Sequence, residues 1–292
     1  MARFFLTPSH HQLLYPTFAP LKKLPLFYCM NHVKLPDLNG LQRKSARVSM
    51  WFSLLLWFVS IETHAQRLPV HQANSWLAYT AQVKLTPKWG IHGELQWRQS
   101  ELVVRPQQAL WRMAALYQAL PNIQWAGGFI LLRNYPYGAY PAKSVFPEFR
   151  LWEQLQVKNT LNRWDTWVRL RLEQRWSYTP VLVAGQYTPG DAVYSNRIRV
   201  MNKWNHPLAR ASVKNPLWYV SMYDEVFLSF GKQVKVNMLD QNRIGMALGC
   251  KRIKNTNVEL GYMLQTIIKS DGIHVEQNHT ISLACFTNLS LH

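Results

Sequence analysis

Charged and apolar side chains alternate along much of this chain, and the alternation is clearest between Trp164 and Trp204. Arg169, Arg171, Glu173 and Arg175 fill every second position, and aliphatic residues stand between them. Successive side chains of a β-strand point to opposite faces. The pattern therefore predicts strands with one guanidinium-rich face and one apolar face.

Strand-like windows of this kind follow one another to the end of the chain. They cover residues 75–84, 89–99, 110–120, 123–133, 147–159, 164–176, 193–204, 217–229, 241–251, 255–267 and 277–288. Most of them have roughly the 9–11 residues that a tilted strand needs to cross a bilayer. Single-chain bacterial barrels usually have an even number of strands. We therefore expect about twelve strands in an all-β, antiparallel transmembrane barrel, with residues 66–73 or 231–239 adding a short strand or the N-terminal segment entering the lumen.

The connections between these windows alternate in length. Thr86–Lys88, Pro121–Asn122 and Asn162–Arg163 are tight, whereas 134–146, 178–192 and 268–276 are long. Short periplasmic turns and longer external loops are typical of outer-membrane barrels. This order favours an outer-membrane barrel over a soluble all-β domain.

The charged parity must avoid hydrocarbon, because an Arg on the lipid face costs about 2–4 kcal/mol at the bilayer midplane. We therefore predict a charge network in the lumen: Glu148, Arg150, Arg169, Arg171, Glu173, Arg175, Arg197, Arg199, Glu225, Arg243 and Glu259. The opposite parity, which includes Leu170, Leu172, Met246 and Leu248, would face lipid. Glu153 falls on the apolar parity, where a bulge or an interfacial position would accommodate it.

Two interpretations of the lumen charges remain open. Arg–Glu networks can plug a barrel of moderate size by holding its walls together. Alternatively, the excess of Arg over Glu gives a lumen that favours anions. If the network plugs the barrel, Arg171→Ala should destabilise it, because the substitution leaves a buried partner unpaired.

Composition supports a membrane location and excludes other classes. The 13 Trp among 292 residues exceed what a soluble core needs, and Trp and Tyr are favoured at membrane interfaces. A net charge of +18 is compatible with nucleic-acid binding. However, the basic residues alternate with aliphatic ones and form no runs, so no nucleic-acid partner is expected.

The first 65 residues have the character of a leader. The apolar run 51–61 follows Arg43, Lys44 and Arg47, and Thr63-His64-Ala65 provides a small-residue cleavage site. We predict a signal peptide over 50–65, a barrel over 66–292, and a disordered extension over 1–49 that arises from an over-called translation start. A genuine cytosolic extension, with 51–61 as a signal anchor, is the alternative.

Catalytic and metal-binding constellations are not evident. His279 and Ser282 are three residues apart in one strand, which places them on opposite faces and out of hydrogen-bond reach. His92, His206 and His274 lack companions at useful spacing and are expected near the membrane interfaces. Three Cys without CxxC or His/Cys spacing support no metal site. We predict no catalytic residue, metal or cofactor.

An ordered series of short motifs runs through the chain. It consists of Trp76 with Lys84 and Trp89, Glu148-Phe-Arg150-x-x-Glu153-Gln154, Arg169-x-Arg171-x-Glu173-x-Arg175, Arg197-x-Arg199, Asp224-Glu225-x-Phe227, Gln241-Asn242-Arg243-x-x-x-x-x-Gly249 and Glu259-x-Gly261-Tyr262-x-x-Gln265. Over about residues 74–290 this series resembles the bacterial outer-membrane domain-of-unknown-function family 2490. The resemblance implies an outer-membrane β-barrel and supplies no catalytic residues.

The sequence therefore predicts an integral barrel of the Gram-negative outer membrane, with a structural role or one in small-solute passage that favours anions. Its expected partners are outer-membrane lipid and the outer-membrane assembly machinery, and its oligomeric state stays open. A lipid-modifying outer-membrane enzyme and a soluble secreted β-barrel with a small ligand are the alternatives.

Overall fold

The computed structural model describes residues 68–209, 217–232, 234 and 237–291. The predicted extension 1–49 and signal peptide 50–65 lie outside the described residues. No helix among the described residues is long and apolar enough to cross a membrane.

Eleven strands close into one barrel in the described part of the chain. They are β1 (Leu68–Lys84), β2 (Trp89–Ser100), β3 (Arg105–Leu120), β4 (Ile123–Asn134), β5 (Phe146–Leu161), β6 (Trp164–Ser177), β9 (Val193–Pro207), β10 (Trp218–Phe230), β11 (Leu239–Ile253), β12 (Thr256–Ile268) and β13 (His274–Ser290). Each corresponds to one of the predicted windows. Between β6 and β9, β7 (Pro180–Val183) and β8 (Gln186–Pro189) form a separate hairpin that the sequence pattern did not predict.

The expected number of about twelve strands is wrong for the described residues. The stretch from Leu68 extends β1 and adds no strand of its own, and residues 231, 232, 234, 237 and 238 belong to no strand. All sequential neighbours in the barrel are antiparallel, so an odd number of strands leaves the first and the last running in the same direction. β1 and β13 accordingly pair in parallel from Leu68↔His274 to Lys84↔Ser290. We call this pairing the seam.

The two ends of the barrel differ in their connections. The turn end carries 85–88, 121–122, 162–163, 254–255 and the connection from β9 to β10. The loop end carries 101–104, 135–145, 178–192, 269–273 and the connection from β10 to β11. Asn162 and Asn255 lie in the two-residue turns with φ of 55° and 59°. Asn enters this left-handed region more readily than most residues, which explains why these turns are tight.

Burial alternates along the strands as a two-residue period requires. Leu170 is 48% exposed, whereas its neighbour Arg171 is 3% exposed. The buried parity faces the interior, and the exposed parity forms the outer wall. One sector of the interior is apolar and includes Leu110, Ile130 and Trp152 from β3, β4 and β5. Charged side chains fill the interior of the strands from β5 onward, and Glu94, Arg98 and Arg112 add buried charges on β2 and β3.

Candidate functional site

The interior of the barrel is the candidate site, because it gathers many charged side chains of the described residues in buried positions. The structure places all eleven residues of the predicted network on the interior parity: Glu148, Arg150, Arg169, Arg171, Glu173, Arg175, Arg197, Arg199, Glu225, Arg243 and Glu259. Strand register brings them face to face, since Glu173 stands opposite Arg197 and Glu225 opposite Arg243.

Glu173 is the centre of the network. Its side chain is 0% exposed, and its Oε2 accepts hydrogen bonds from Nη2 of Arg197 at 2.6 Å and Nε of the same residue at 3.1 Å. Its Oε1 accepts from Nη1 of Arg199 at 2.6 Å. Nη1 of Arg150 lies 3.5 Å from Oε2. A carboxylate held by several guanidinium donors fixes its strands relative to one another.

Two further carboxylates extend this network around the wall. Oε1 of Glu225 accepts from Arg169 Nη2 at 2.5 Å and lies 2.8 Å from Nη2 of Arg199, so that Arg199 bridges Glu173 and Glu225. Oε1 of Glu148 accepts from Nε of Arg150 and Nε of Arg175, both at 2.7 Å. Arg and Glu therefore alternate without interruption from β5 to β10.

The ion pair between Lys203 and Glu259 crosses two intervening strands. Lys203 Nζ of β9 lies 3.0 and 3.1 Å from the two carboxylate oxygens of Glu259 on β12, and the Tyr219 hydroxyl donates to Glu259 at 2.9 Å. Because β10 and β11 lie between β9 and β12, this contact crosses part of the interior. Lys203 shares the parity of Arg197 and Arg199, so the alternation could have identified it. Tyr219 gave no such signal.

Several guanidinium groups lie over aromatic rings inside the barrel. Arg171 lies over Trp152 at 4.3 Å, and Arg98 and Arg243 both lie over Trp76, at 4.0 and 4.9 Å. A guanidinium over an indole face gains cation–π attraction, which is larger when the pair is desolvated. Sequence reasoning missed this role, because aromatic residues were expected at the membrane interfaces.

Within the described part of the barrel, three interior guanidiniums lack a close carboxylate. Arg98 donates to Gln96 and Gln108, and Arg171 donates to Gln154. Arg171 is 4.0 Å from Glu173, and Nη1 of Arg243 is 3.9 Å from Glu225. The interior therefore keeps an excess of positive charge, which favours anions electrostatically.

The middle of the interior is filled by side chains. Glu173 and Phe227 are 0% exposed, and Arg199 is only 6% exposed. Wide porin barrels hold an aqueous channel, whereas small barrels fill their interior with side chains. Among the described residues, the interior resembles the second case.

The 135–145 loop closes over the loop end of the interior. Burial raises the pKa of Tyr137 to about 12, and the carboxylate of Glu276 adds to this rise. Gly138 (φ +72°) lies so near the Gln72 amide that a Cβ would fall 2.2 Å from its Nε2. A glycine is needed here for both its backbone conformation and its missing side chain. The loop thus packs against β1 and covers polar groups of the seam.

The outer wall is apolar in the middle and aromatic at both ends. Leu95, Met246 and Leu260 are more than half exposed, at 56%, 55% and 59%. At the turn end Trp89 packs on Tyr117 with ring centroids 4.8 Å apart, and at the loop end Trp176 packs on Tyr194 at 5.2 Å. Apolar bands between two aromatic girdles are typical of outer-membrane barrels.

A shallow apolar groove of about 700 Å³ indents this outer wall. Leu77, Leu95, Trp111 and Leu283 contribute to its lining.

Acidic residues also lie on the outer wall. Glu153 lies there opposite Gly127 and Leu172, with unbroken register on both sides, so no bulge accommodates it. Asp224 also lies outward and accepts a hydrogen bond from Asn242 Nδ2 at 2.7 Å. The sequence pattern did not predict the hydrogen bond between Asn242 and Asp224.

The histidines are not arranged for catalysis. His279 faces outward and Ser282 inward, as their spacing requires. His92 lies inside the barrel near the turn end of β2, where it is 8% exposed and 3.5 Å from Glu94. No group of three or more His, Cys, Asp or Glu side chains in the described residues could hold a metal ion.

Comparison with known proteins gives one decisive result. The family model described as "Protein of unknown function (DUF2490)" matches residues 73–276. The chain belongs to this family. A search of curated proteins finds no match. This DUF2490 chain is similar to a solved structure described as "NanC porin structure in rhombohedral crystal form", with 6% identity, a TM-score of 0.39, and coverage of 67% of this chain and 81% of the porin chain.

Proposed function

We propose that this DUF2490 protein is an integral outer-membrane β-barrel that spans the bilayer with its apolar outer wall. The proposal is supported by the band of exposed aliphatic side chains between aromatic pairs at the two ends. From Trp164 to Trp176 on β6 the rise is about 30 Å for a strand tilted by roughly 40°. This length agrees with a hydrocarbon core of about 30 Å. Its partners would then be outer-membrane lipid and the assembly machinery.

The role that the geometry supports best is structural: the interior is closed by ion pairs, and the barrel acts as a rigid element of the membrane. The observation that carries this role is Glu173, which is fully buried and receives three guanidinium hydrogen bonds from β9. Such a centre holds adjacent walls together and leaves little space for solute.

The test of the membrane location uses the outer wall. Leu170→Arg and Leu248→Arg, at positions that are 48% and 45% exposed, should each prevent accumulation in the outer membrane. Val181→Arg is the matched control, because Val181 is 44% exposed but belongs to the hairpin outside the barrel. Heat-modifiable migration of protein from isolated outer membranes reports barrel closure. Normal assembly of both leucine variants would contradict the assignment of the lipid face.

Passage of small anions is the second candidate, and the excess of guanidinium groups at Arg98, Arg171 and Arg243 favours it. Purified protein in planar bilayers should show little steady conductance if the structural role is correct. Stable conductance with a reversal potential that indicates anion selectivity would contradict the structural role and support the passage of small anions. In that case Arg98→Gln with Arg243→Gln should reduce the selectivity for anions.

A further inference from the structure

Two histidines meet across the seam on the outside of the barrel. Nδ1 of His71 on β1 lies 3.2 Å from Nε2 of His279 on β13. The rings are nearly parallel, with centroids 5.5 Å apart and an angle of 22° between their planes. In the register of the seam, His71 stands opposite Gln277 and His279 opposite Ala73, so the pair is a diagonal neighbour contact.

A third side chain orients this pair. Nδ1 of His279 lies 2.7 Å from the hydroxyl oxygen of Tyr262 on β12. When this Nδ1 donates its proton to the Tyr262 oxygen, Nε2 carries the lone pair and points toward His71. Metal-binding histidines almost always donate their second ring N–H to such a partner, which fixes both the tautomer and the ring orientation.

His71 is the more accessible member of the pair. β1 has 17 residues, more than the 9–11 that cross a bilayer. Its exposed apolar outward residues, Leu77 and Tyr79, come after His71, which therefore lies toward the loop end. His71 is itself exposed. An ion could reach it from solution without entering hydrocarbon.

We propose that His71 and His279 bind a divalent transition-metal ion, with Tyr262 as a positioning residue for His279. Imidazole nitrogen suits Zn²⁺, Cu²⁺ and Ni²⁺. Two nitrogens on a tetrahedral ion at about 2.0–2.1 Å stand about 3.4 Å apart, close to the observed 3.2 Å. Water molecules complete the coordination. Because the two ligands belong to the first and last strands of the barrel, the bound ion links the two strands of the seam.

Metal binding by this pair does not depend on whether the barrel conducts. The pair lies on a surface that the lumen network does not use. Metal bound to the closed barrel, but not to separated strands, stabilises the closed form. At a free concentration of 100 times the Kd, the folding equilibrium constant rises about a hundredfold.

The test is calorimetric titration of ZnCl₂ and CuCl₂ into the detergent-solubilised full-length protein without a polyhistidine tag. We expect one ion per barrel, and at least tenfold weaker binding for His71→Ala and for His279→Ala. Tyr262→Phe should weaken binding severalfold while both ligands remain. His206→Ala is the matched control, because this histidine packs against Trp164 at the opposite end of the barrel, with ring centroids 4.6 Å apart.

A second readout needs no variant. Electron paramagnetic resonance of the Cu²⁺-loaded wild-type protein should show two equatorial nitrogen ligands. If His279→Ala fails to give a heat-modifiable barrel, His71→Ala decides the matter, because His71 is an exposed residue near the strand end. Unchanged affinity in His71→Ala, or a spectrum without two nitrogens, would show that the pair is a hydrogen bond only and would overturn the proposal.

Discussion

Removal of the central carboxylate should destabilise the barrel strongly. Glu173→Ala leaves Arg197 and Arg199 in the interior without the acceptor they share. Breaking a buried ion pair by removing one partner typically costs about 3–5 kcal/mol. Arg197 keeps Asp240 at 3.1 Å, and Arg199 keeps Glu225 at 2.8 Å. Because both cations retain a second carboxylate, we expect the lower end, about 3 kcal/mol, or roughly two orders of magnitude in the folding equilibrium constant.

The assay is urea unfolding of the barrel in lipid vesicles, followed by tryptophan fluorescence and checked by heat-modifiable migration. Glu153→Ala is the matched control, since this glutamate lies on the outer wall opposite Gly127 and has no ion pair within the described residues. Its effect should stay below about 1 kcal/mol. The double variant Glu173→Leu with Arg197→Met should recover part of the loss, because it removes both charges. Equal unfolding free energies for the Glu173→Ala and Glu153→Ala proteins would refute the interior network.

Three other perturbations test separate parts of the structure. Asp224→Val removes the closer acceptor of the Asn242 amide and leaves it the Glu225 carbonyl oxygen at 3.5 Å. It should cost about 1–3 kcal/mol, and adding Asn242→Val should recover most of this loss in the same unfolding assay. Gly128→Ala should abolish the heat-modifiable band, because its Cβ would lie 1.9 Å from a carbonyl oxygen of the neighbouring strand; a normal band would contradict this close approach of β3 and β4. The hydrogen bond from the His274 side chain lowers the pKa of Asp271 to about 2. Its contribution to loop stability is thus full above the ordinary Asp pKa and is lost as the pH falls through about 2, and an NMR titration midpoint near 4 would count against it.

β6 shows most clearly how much of the fold could be predicted from the sequence. The alternation of Arg169 to Arg175 with Leu170 and Leu172 assigned the two faces of that strand correctly, because a two-residue period follows from backbone geometry alone. The same local signal located all eleven barrel strands and the tight turn at Asn162. Alternation gave little signal in β4, where most residues of both parities are apolar. Nothing in the sequence there showed that Ile130 would face the interior at 0% exposure.

Only the tertiary structure decided which strands meet and how the barrel closes. The parallel seam, the contact of Lys203 with Glu259 and the approach of His71 to His279 each join residues that are far apart in sequence. Sequence by itself determined the fold class and the face on which each strand carries its charge, because these depend on neighbouring residues along one strand. Strand number, closure and partner choice depend on the shape of the whole barrel, which no local pattern encodes.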